Sequence, residues 1–551
     1  MRWRPSLVGM IVVLCATMVG IAPPAGAGPV GARARRAVRA LPGLTWRSRG
    51  IGGGGAFFSP APDPHDPDRL FVTSDMSGVY RTDDFGASWR MLRASRLRGD
   101  VATPVQFTSD ASVLYAIDAD EDLRRPVVSH DGGTTWSPLP SDPTGGEVYS
   151  LWADPDSTQR LLISSYDTLY FSSDGGATFH QVHQAHDEHV AGVFWDGDTI
   201  LVGARDGLLV STDGGATFSL AAAGGLPADE EMVGFAGVRV GTQVRLWAVT
   251  LGAGDVWPLI TGAEMWSYQN VYRREWSAGG PWTAVGANIP GDVLPFFVAA
   301  APGRIDTVWL AGGNTDLSAP AVLKSTDGGA TWIDVFRTTN NANIATGWSG
   351  YHGDTEWWWG EYALGFAVSP VDPDRAVLTD LGFIHVTGDG GASWHQAYVD
   401  PADENPPGSP TPKGLAYHGI GTEDTSSWWL HWVDDATVVA ALTDIRGIRS
   451  TDGGLSWTSG FSLGLPHNST YHVVEHPVTG RLFAATSSVH DLYQSTYLGD
   501  SRIDGGTGAV AYSDDGGASW QILHDFGHPV VWLAFDPNDS ETLYASVVHS
   551  S

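Results

Sequence analysis

Three aspartates recur at one kind of place in this chain. Asp75 (TSDMSG), Asp380 (LTDLG) and Asp444 (LTDIRG) each follow a Ser or Thr at the end of a short β-rich run and stand just before a glycine. A carboxylate on such a turn can give or take a proton. Two of them facing each other, one ionised and one protonated, are what cleavage of a glycosidic bond requires. The same wording is also that of a plain turn between two strands, so both readings stand. Flat aromatic rings suit sugars, and two clusters offer them: Trp357, Trp358 and Trp359 with Tyr362, and Trp428 and Trp429 with Trp432. Alternate members of an extended segment face the core, which leaves Trp357 and Trp359 as the expected stacking platforms. His352, Asp354 and Glu356 fall on one side of an extended segment and could ligate a metal. A solvated polar loop is the simpler account of them, and no metal or other cofactor is expected.

The elements that must position these groups are written in a repeat. Eight segments read S/T-x-D-x-G-x-S/T-W/F, with their Asp at positions 84, 131, 174, 213, 327, 389, 452 and 515. The Asp can accept from the amides of its own turn. The Gly supplies a positive φ, and the aromatic residue fills the gap to a neighbouring unit. These aspartates are therefore expected to be scaffold. The phrase resembles the Asp-box of sialidase-like and related β-propellers.

Around each box lie four short strands bounded by Gly, Pro and Asp, which is one propeller blade. The spacing of 114 from Asp213 to Asp327 predicts a blade without a box, built around residues 244–250 and 265–282. The expected fold is all-β, with nine to ten four-stranded blades. Two layouts fit. One is a seven-bladed propeller over residues 44–400 followed by an incomplete second one over 401–551. The other is a single open ring of about ten blades. In either, residues 44–50 have the look of a fourth strand that could pair with a late blade.

Composition narrows the partners. Lys and Arg number 31 against 62 Asp and Glu, a net charge of −31. Such a surface repels phosphates, so nucleic acid and anionic membranes are not expected partners. Arg2 and Arg4, an apolar stretch over 7–22 and the small residues Ala25, Gly26 and Ala27 form a secretory signal cleaved near Ala27. The mature protein is then expected to be secreted, with no membrane contact after cleavage. Cys15, the one cysteine, falls inside that signal, so no disulfide or thiolate chemistry is expected. Residues 28–43 read as a basic, disordered segment. The sequence carries no sign of oligomeric state.

A longer segment is more specific than the box. WRSRGIGGGGAFFSPAPDPHDPDRLFVTSDMSGVYR (46–81) resembles the opening of the xyloglucanases of glycoside hydrolase family 74. That family has an IGGGG run, a strand, a Pro turn and then TD-x-GG-x-YR. Ser74 and Ser77 stand here for its Thr and Gly, while Asp75, Gly78, Tyr80 and Arg81 are in register. GIGTEDTSSWWLHWVDDATVVAALTDIRGIRSTDGG (419–454) is similar to the family's G-I-E-E stretch, a strand and G-D-x-GG-F. Thr443, Arg446 and Ile448 replace Gly, Gly and Phe.

The resemblance implies Asp75 as general base and Asp444 as general acid, with inversion across a gap of roughly 6.5–9.5 Å. With seven blades in the first ring, the two occupy equivalent turns of the first blade of each ring. Burial beside Trp428, Trp429 or Trp432 would raise the Asp444 pKa, and Asp380 is a third candidate at the same blade position. Trp357, Trp359, Tyr362, Trp428, Trp429, Tyr80 and Arg81 are the candidate substrate contacts. The implied protein is a glycoside hydrolase acting on a β-glucan or xyloglucan-like polysaccharide. One alternative is a non-catalytic propeller that binds glycan or peptide, as the sortilin luminal domain resembles. Another is a sialidase, which needs three converging arginines, for which Arg81, Arg273 and Arg274 are available.

Overall fold

The computed structural model describes residues 47–548 except 102–103, 121–122, 222–223, 278, 354–355, 358–359, 460–463 and 490–504. The signal segment, the basic stretch 28–43 and residues 44–46 lie outside the described part. Ten sheets follow one another along the described chain, each made of consecutive strands paired antiparallel, save that Ile344–Ala345 joins Trp394–Gln396 in parallel. Blade 1 shows the plan, with strands Phe57–Pro62, Leu70–Ser74, Val79–Thr82 and Arg90–Met91. The second strand is buried along its whole length while the fourth is exposed. A strand covered on both faces needs an apolar run and not an alternation. LFVTS in blade 1 and VVAAL in blade 8 are such runs.

Each box is a closed corner. In blade 3, Ser150–Ala153 to His180–Gln184, Ser172 Oγ donates to Asp174 Oδ1 at 2.8 Å and accepts from the Gly176 amide at 2.9 Å. The Thr178 amide and hydroxyl donate to the same carboxylate at 2.8 and 2.6 Å. The seven other boxes repeat the hydroxyl–carboxylate bond, Thr82 to Asp84 through Ser513 to Asp515. The second glycine of the corner lies against the preceding blade. A Cβ on Gly215, at φ +96°, would stand 2.2 Å from the ring of Phe171. Several box tryptophans reach the same way, while Trp136 and Trp457 donate to the carbonyls of Gly133 and Gly454 in their own corners. Trp332 and Trp394 donate Nε1 to the carbonyls of Val285 and Val335, at 3.0 and 2.7 Å.

Basic side chains clamp several seams toward the following blade. Arg81, Arg273, Lys324 and Arg449 donate to the carbonyls of Gly132, Gly328, Gly390 and Gly516 at 2.7–2.9 Å.

The expected blade without a box is present as blade 5, Glu230–Val240, Gln243–Gly252, Tyr268–Glu275 and Trp282–Ala284. Blade 7, Ala363–Val368 to Trp394–Gln396, then meets blade 1. Phe57, Leu70, Val72, Tyr80 and Trp89 share a core with Val377, Ile384, Val386 and Ala397. Trp89 Nε1 donates to the Ala397 carbonyl at 2.9 Å. The seven-bladed layout is therefore the one adopted, and the single ten-bladed ring is not. Blade 8 (Ser427–Trp432, Val438–Leu442, Gly447–Ser450), blade 9 (from Ser469–Glu475 to Gln521–Asp525) and the hairpin Val530–Asp536 with Asp539–Val547 stack in series after it. Described residues 47–50 form no strand, although the Gly50 carbonyl accepts from the Gly419 amide.

The corners predict acid sensitivity. The hydroxyls of Thr178, Thr217 and Thr331, followed by their amides, hold Asp174, Asp213 and Asp327 down to about 2. The stability they contribute is whole above the ordinary aspartate value near 4 and is lost as pH falls from about 4 through about 2. Thermal melts across that window will show a declining midpoint. Asp327→Asn will melt lower at pH 7 and decline less steeply in acid.

Candidate functional site

Strand direction alternates within a blade. The turns between second and third strands therefore emerge at the same end as the links from one blade to the next, and the boxes lie at the opposite end. Asp75 sits on the first of these turns. The turn is closed by the Ser74 amide on the Gly78 carbonyl at 3.0 Å and by the Gly78 amide on Ser74 Oγ at 3.1 Å. The Asp75 side chain is exposed beside the exposed Met76.

Directly behind it is a carboxylate that motif reading passed over. Asp424 belongs to the link from blade 7 to blade 8. Its Oδ1 accepts from Tyr80 Oη at 2.9 Å and from Ser74 Oγ at 3.1 Å, while its Oδ2 is buried and has no hydrogen-bond partner. Burial first, and then the charge of Asp75, push the Asp424 pKa up to about 8. At neutral pH Asp424 thus keeps its proton.

The glycine run 51–55 brings this link to blade 1. Gly52, Gly53 and Gly54 have φ of +76°, +69° and +93°. A Cβ would stand 1.7 Å from the Tyr398 carbonyl at Gly52, and 2.1 Å from the Asp424 carbonyl at Gly55. The Gly53 amide donates to the Thr422 carbonyl at 2.9 Å and the Gly54 amide to the Gly382 carbonyl at 2.8 Å. Only unbranched backbone passes there. The Asp444 turn packs on the same run, since Ile445 and Thr425 crowd Gly54 and the Thr443 amide donates to the Ser426 carbonyl. Asp75, Asp424 and the Asp444 turn are thus assembled around one seam.

Several expected site residues lie elsewhere. Asp380 is fully buried and its Oδ1 accepts from the amides of Gly382 and Phe383 at 2.9 and 2.8 Å, with Oδ2 3.5 Å from His385 Nε2. It shapes its own turn and faces no solvent. Trp357 is 7 % exposed, donates Nε1 to Asn341 Oδ1 at 2.7 Å and packs on Phe336. It is core and not a platform. Trp359 lies outside the described residues, as does Asp354 of the possible metal set. Among the described residues no His, Cys, Asp and Glu cluster could hold a metal.

Tyr362 is half-buried beside Phe58 and Leu364. Trp428 and Trp429 turn toward blade 9, edge-on to Tyr471 and His472 at 4.8 and 4.5 Å. They do not enclose Asp444, which is half-exposed. Tyr80 is buried under Asp424 and acts on that carboxyl. Arg81 binds Asp83 and clamps blade 2 at the box end. Arg273 is a clamp of the same kind, and Arg274 rests near the rings of Trp276 and Trp282, so the three arginines do not converge.

Sequence reasoning also missed the exposed rings of Trp257 and Trp266 in blade 5 and of Tyr166 in blade 3. All three stand on connections between second and third strands, at the Asp75 end. Their position after the second strand was the available signal. For Asp424 the signal was the acidic pair Glu423 and Asp424 in the segment similar to G-I-E-E.

The BNR/Asp-box repeat family matches residues 127–138, the box of blade 2. No curated protein sequence matches the chain. Among solved structures it is similar to a GH74 enzyme of Niastella koreensis, with 16 % identity over 88 % of this chain and 68 % of that one, and a TM-score of 0.62. An ancestral GH74 enzyme gives 17 % identity, 90 % and 64 % coverage and a TM-score of 0.64. The GH74 xyloglucanase of Xanthomonas campestris gives 19 %, 87 % and 68 %, and 0.59. The chain spans about two thirds of the length of these enzymes and shares their propeller fold.

A carboxyl pushed up to about 8 weakens the folded state as pH rises. The unfolded chain releases that proton near pH 4, while the native state keeps it until about 8. Asp424→Asn, which keeps an oxygen for Tyr80 and Ser74, will match the wild type in stability near pH 4. It will exceed it progressively toward pH 8, as chemical denaturation at several pH values will show.

Proposed function

We propose that this protein is a secreted glycoside hydrolase that cleaves a β-glucan or xyloglucan-like polysaccharide at the seam between the first ring and the trailing blades. The observation that carries the reading is the exposed Asp75 backed by a carboxyl that stays protonated to about pH 8. In this reading Asp75, ionised and at the surface, takes a proton from the attacking water. Asp444, on the equivalent turn of blade 8, gives one to the leaving sugar, with inversion. Asp424 touches neither. Through Ser74 it holds the turn that presents Asp75, and its proton keeps a second negative charge from forming behind the base.

The likeness to GH74 structures supports the fold of such an enzyme. Trp257, Trp266 and Tyr166, exposed at the same end, supply rings on which sugars can stack. Residues 1–27 support export.

Reducing-sugar release from neutral glucans tests the reading. Asp75→Asn and Asp444→Asn will each lower kcat by about a hundredfold or more, the usual worth of a positioned acid or base. Activity will fall as pH rises through about 8, where Asp424 ionises, and Asp424→Asn will flatten that limb. Unchanged turnover in Asp75→Asn removes it from the mechanism. Binding without any sugar release by the wild type favours a non-catalytic glycan binder.

A further inference from the structure

Arg446 stands two residues after Asp444, on the turn between Val438–Leu442 and Gly447–Ser450. The turn is fixed, for the Arg446 amide donates to the Asn468 carbonyl at 2.9 Å and its carbonyl accepts from the Leu442 amide at 3.3 Å. Its φ of +65° is one that side chains other than glycine rarely take, and the resembled pattern has glycine at this place. The side chain is half-buried. Among the described residues Nε, shut away from water, has no hydrogen-bond partner, and burial pulls the guanidinium pKa down.

Other arginines with sequestered nitrogens are accommodated. Arg205 pairs with Glu231 at 2.8 Å, and Arg274 donates to the Gly280 carbonyl at 2.9 Å. This chain has 62 acids for 31 bases, yet among the described residues Arg446 has no counter-ion. Taking a guanidinium partly out of water is unfavourable unless an anion meets it. A ligand would supply that anion.

Two properties define the ligand. A planar guanidinium fork matches a carboxylate with two parallel hydrogen bonds. A chain of −31 net charge repels a polyanion, so the carboxylate must be an isolated one. We propose that Arg446 binds the carboxylate of a single uronic-acid branch on an otherwise neutral polysaccharide, and so selects acid-branched glycans at the Asp444 side of the site. The proposal rests on the hydrolase reading above and adds the substrate class to it.

The test is a matched pair of substrates, a glucuronic-acid-branched glycan and the same glycan with its carboxyls reduced to alcohols. Wild-type kcat/KM will be about tenfold or more higher on the acidic form, as a charge-assisted pair implies, and this preference will shrink with rising salt. Arg446→Met will bring the ratio of the two rates close to one, and Arg446→Lys will restore part of it. A wild-type ratio near one, a preference kept by Arg446→Met, or faster cleavage of a polyuronate overturns the proposal.

If the wild type cleaves neither substrate, the hydrolase reading fails and calorimetric titration decides the arginine separately. Binding of the acidic oligosaccharide about tenfold tighter than its reduced form, lost in Arg446→Met, supports the assignment. Equal binding overturns it.

Discussion

The molecule depends on how closely one blade can lie on the next. At seven of the eight boxes a glycine backbone rests on an apolar side chain of the preceding blade, Gly215 on Phe171 and Gly391 on Val335 among them, while Gly454 meets Trp457 of its own corner. The corner that carries the glycine is held by a hydroxyl, a carboxylate and two amides. The second strand behind it is apolar on both faces because it is covered on both. Stacking, local corner and strand composition are one constraint seen at three scales. It explains why the ring can be assembled from consecutive strands alone.

The same residue type serves two opposite ends. Box aspartates sit exposed among donors and are held low, Asp174 at about 2, while Asp424 sits buried and is pushed to about 8. The difference is in solvation and partners, not in the side chain. The chain's acidity is therefore not one property. Most of its carboxylates solvate or tie corners, and a buried one retains a proton at the end where the blade links run.

What could be read from the sequence follows that division. The box network was legible because all its partners lie within four residues of the Asp. The blade without a box was legible from a gap in the spacing. Asp424 was not, because its partners Ser74 and Tyr80 are about 350 positions away. Trp357 and Asp380 read as surface groups and are core, since the long link before blade 7 folds inward and covers them. Arg81 read as a substrate contact and is a clamp, because register alone does not say at which end of a blade a long side chain finishes. The rings of Trp428 and Trp429 were expected beside Asp444, and the stacking of blade 9 draws them the other way.

Among the described residues the first ring is joined by side chains and by the glycine run, with no strand lent from one end of the chain to the other. The carboxylates meet at that joint, where the adhesion is local and each sheet on either side is complete in itself. Partial opening there would part Asp75 from Asp424 and leave every β-ladder intact. Gentle heating would then let Asp424 return toward an ordinary aspartate's titration while circular dichroism still reports a full complement of strands, which makes that one retained proton a more sensitive gauge of this architecture than any measure of its secondary structure.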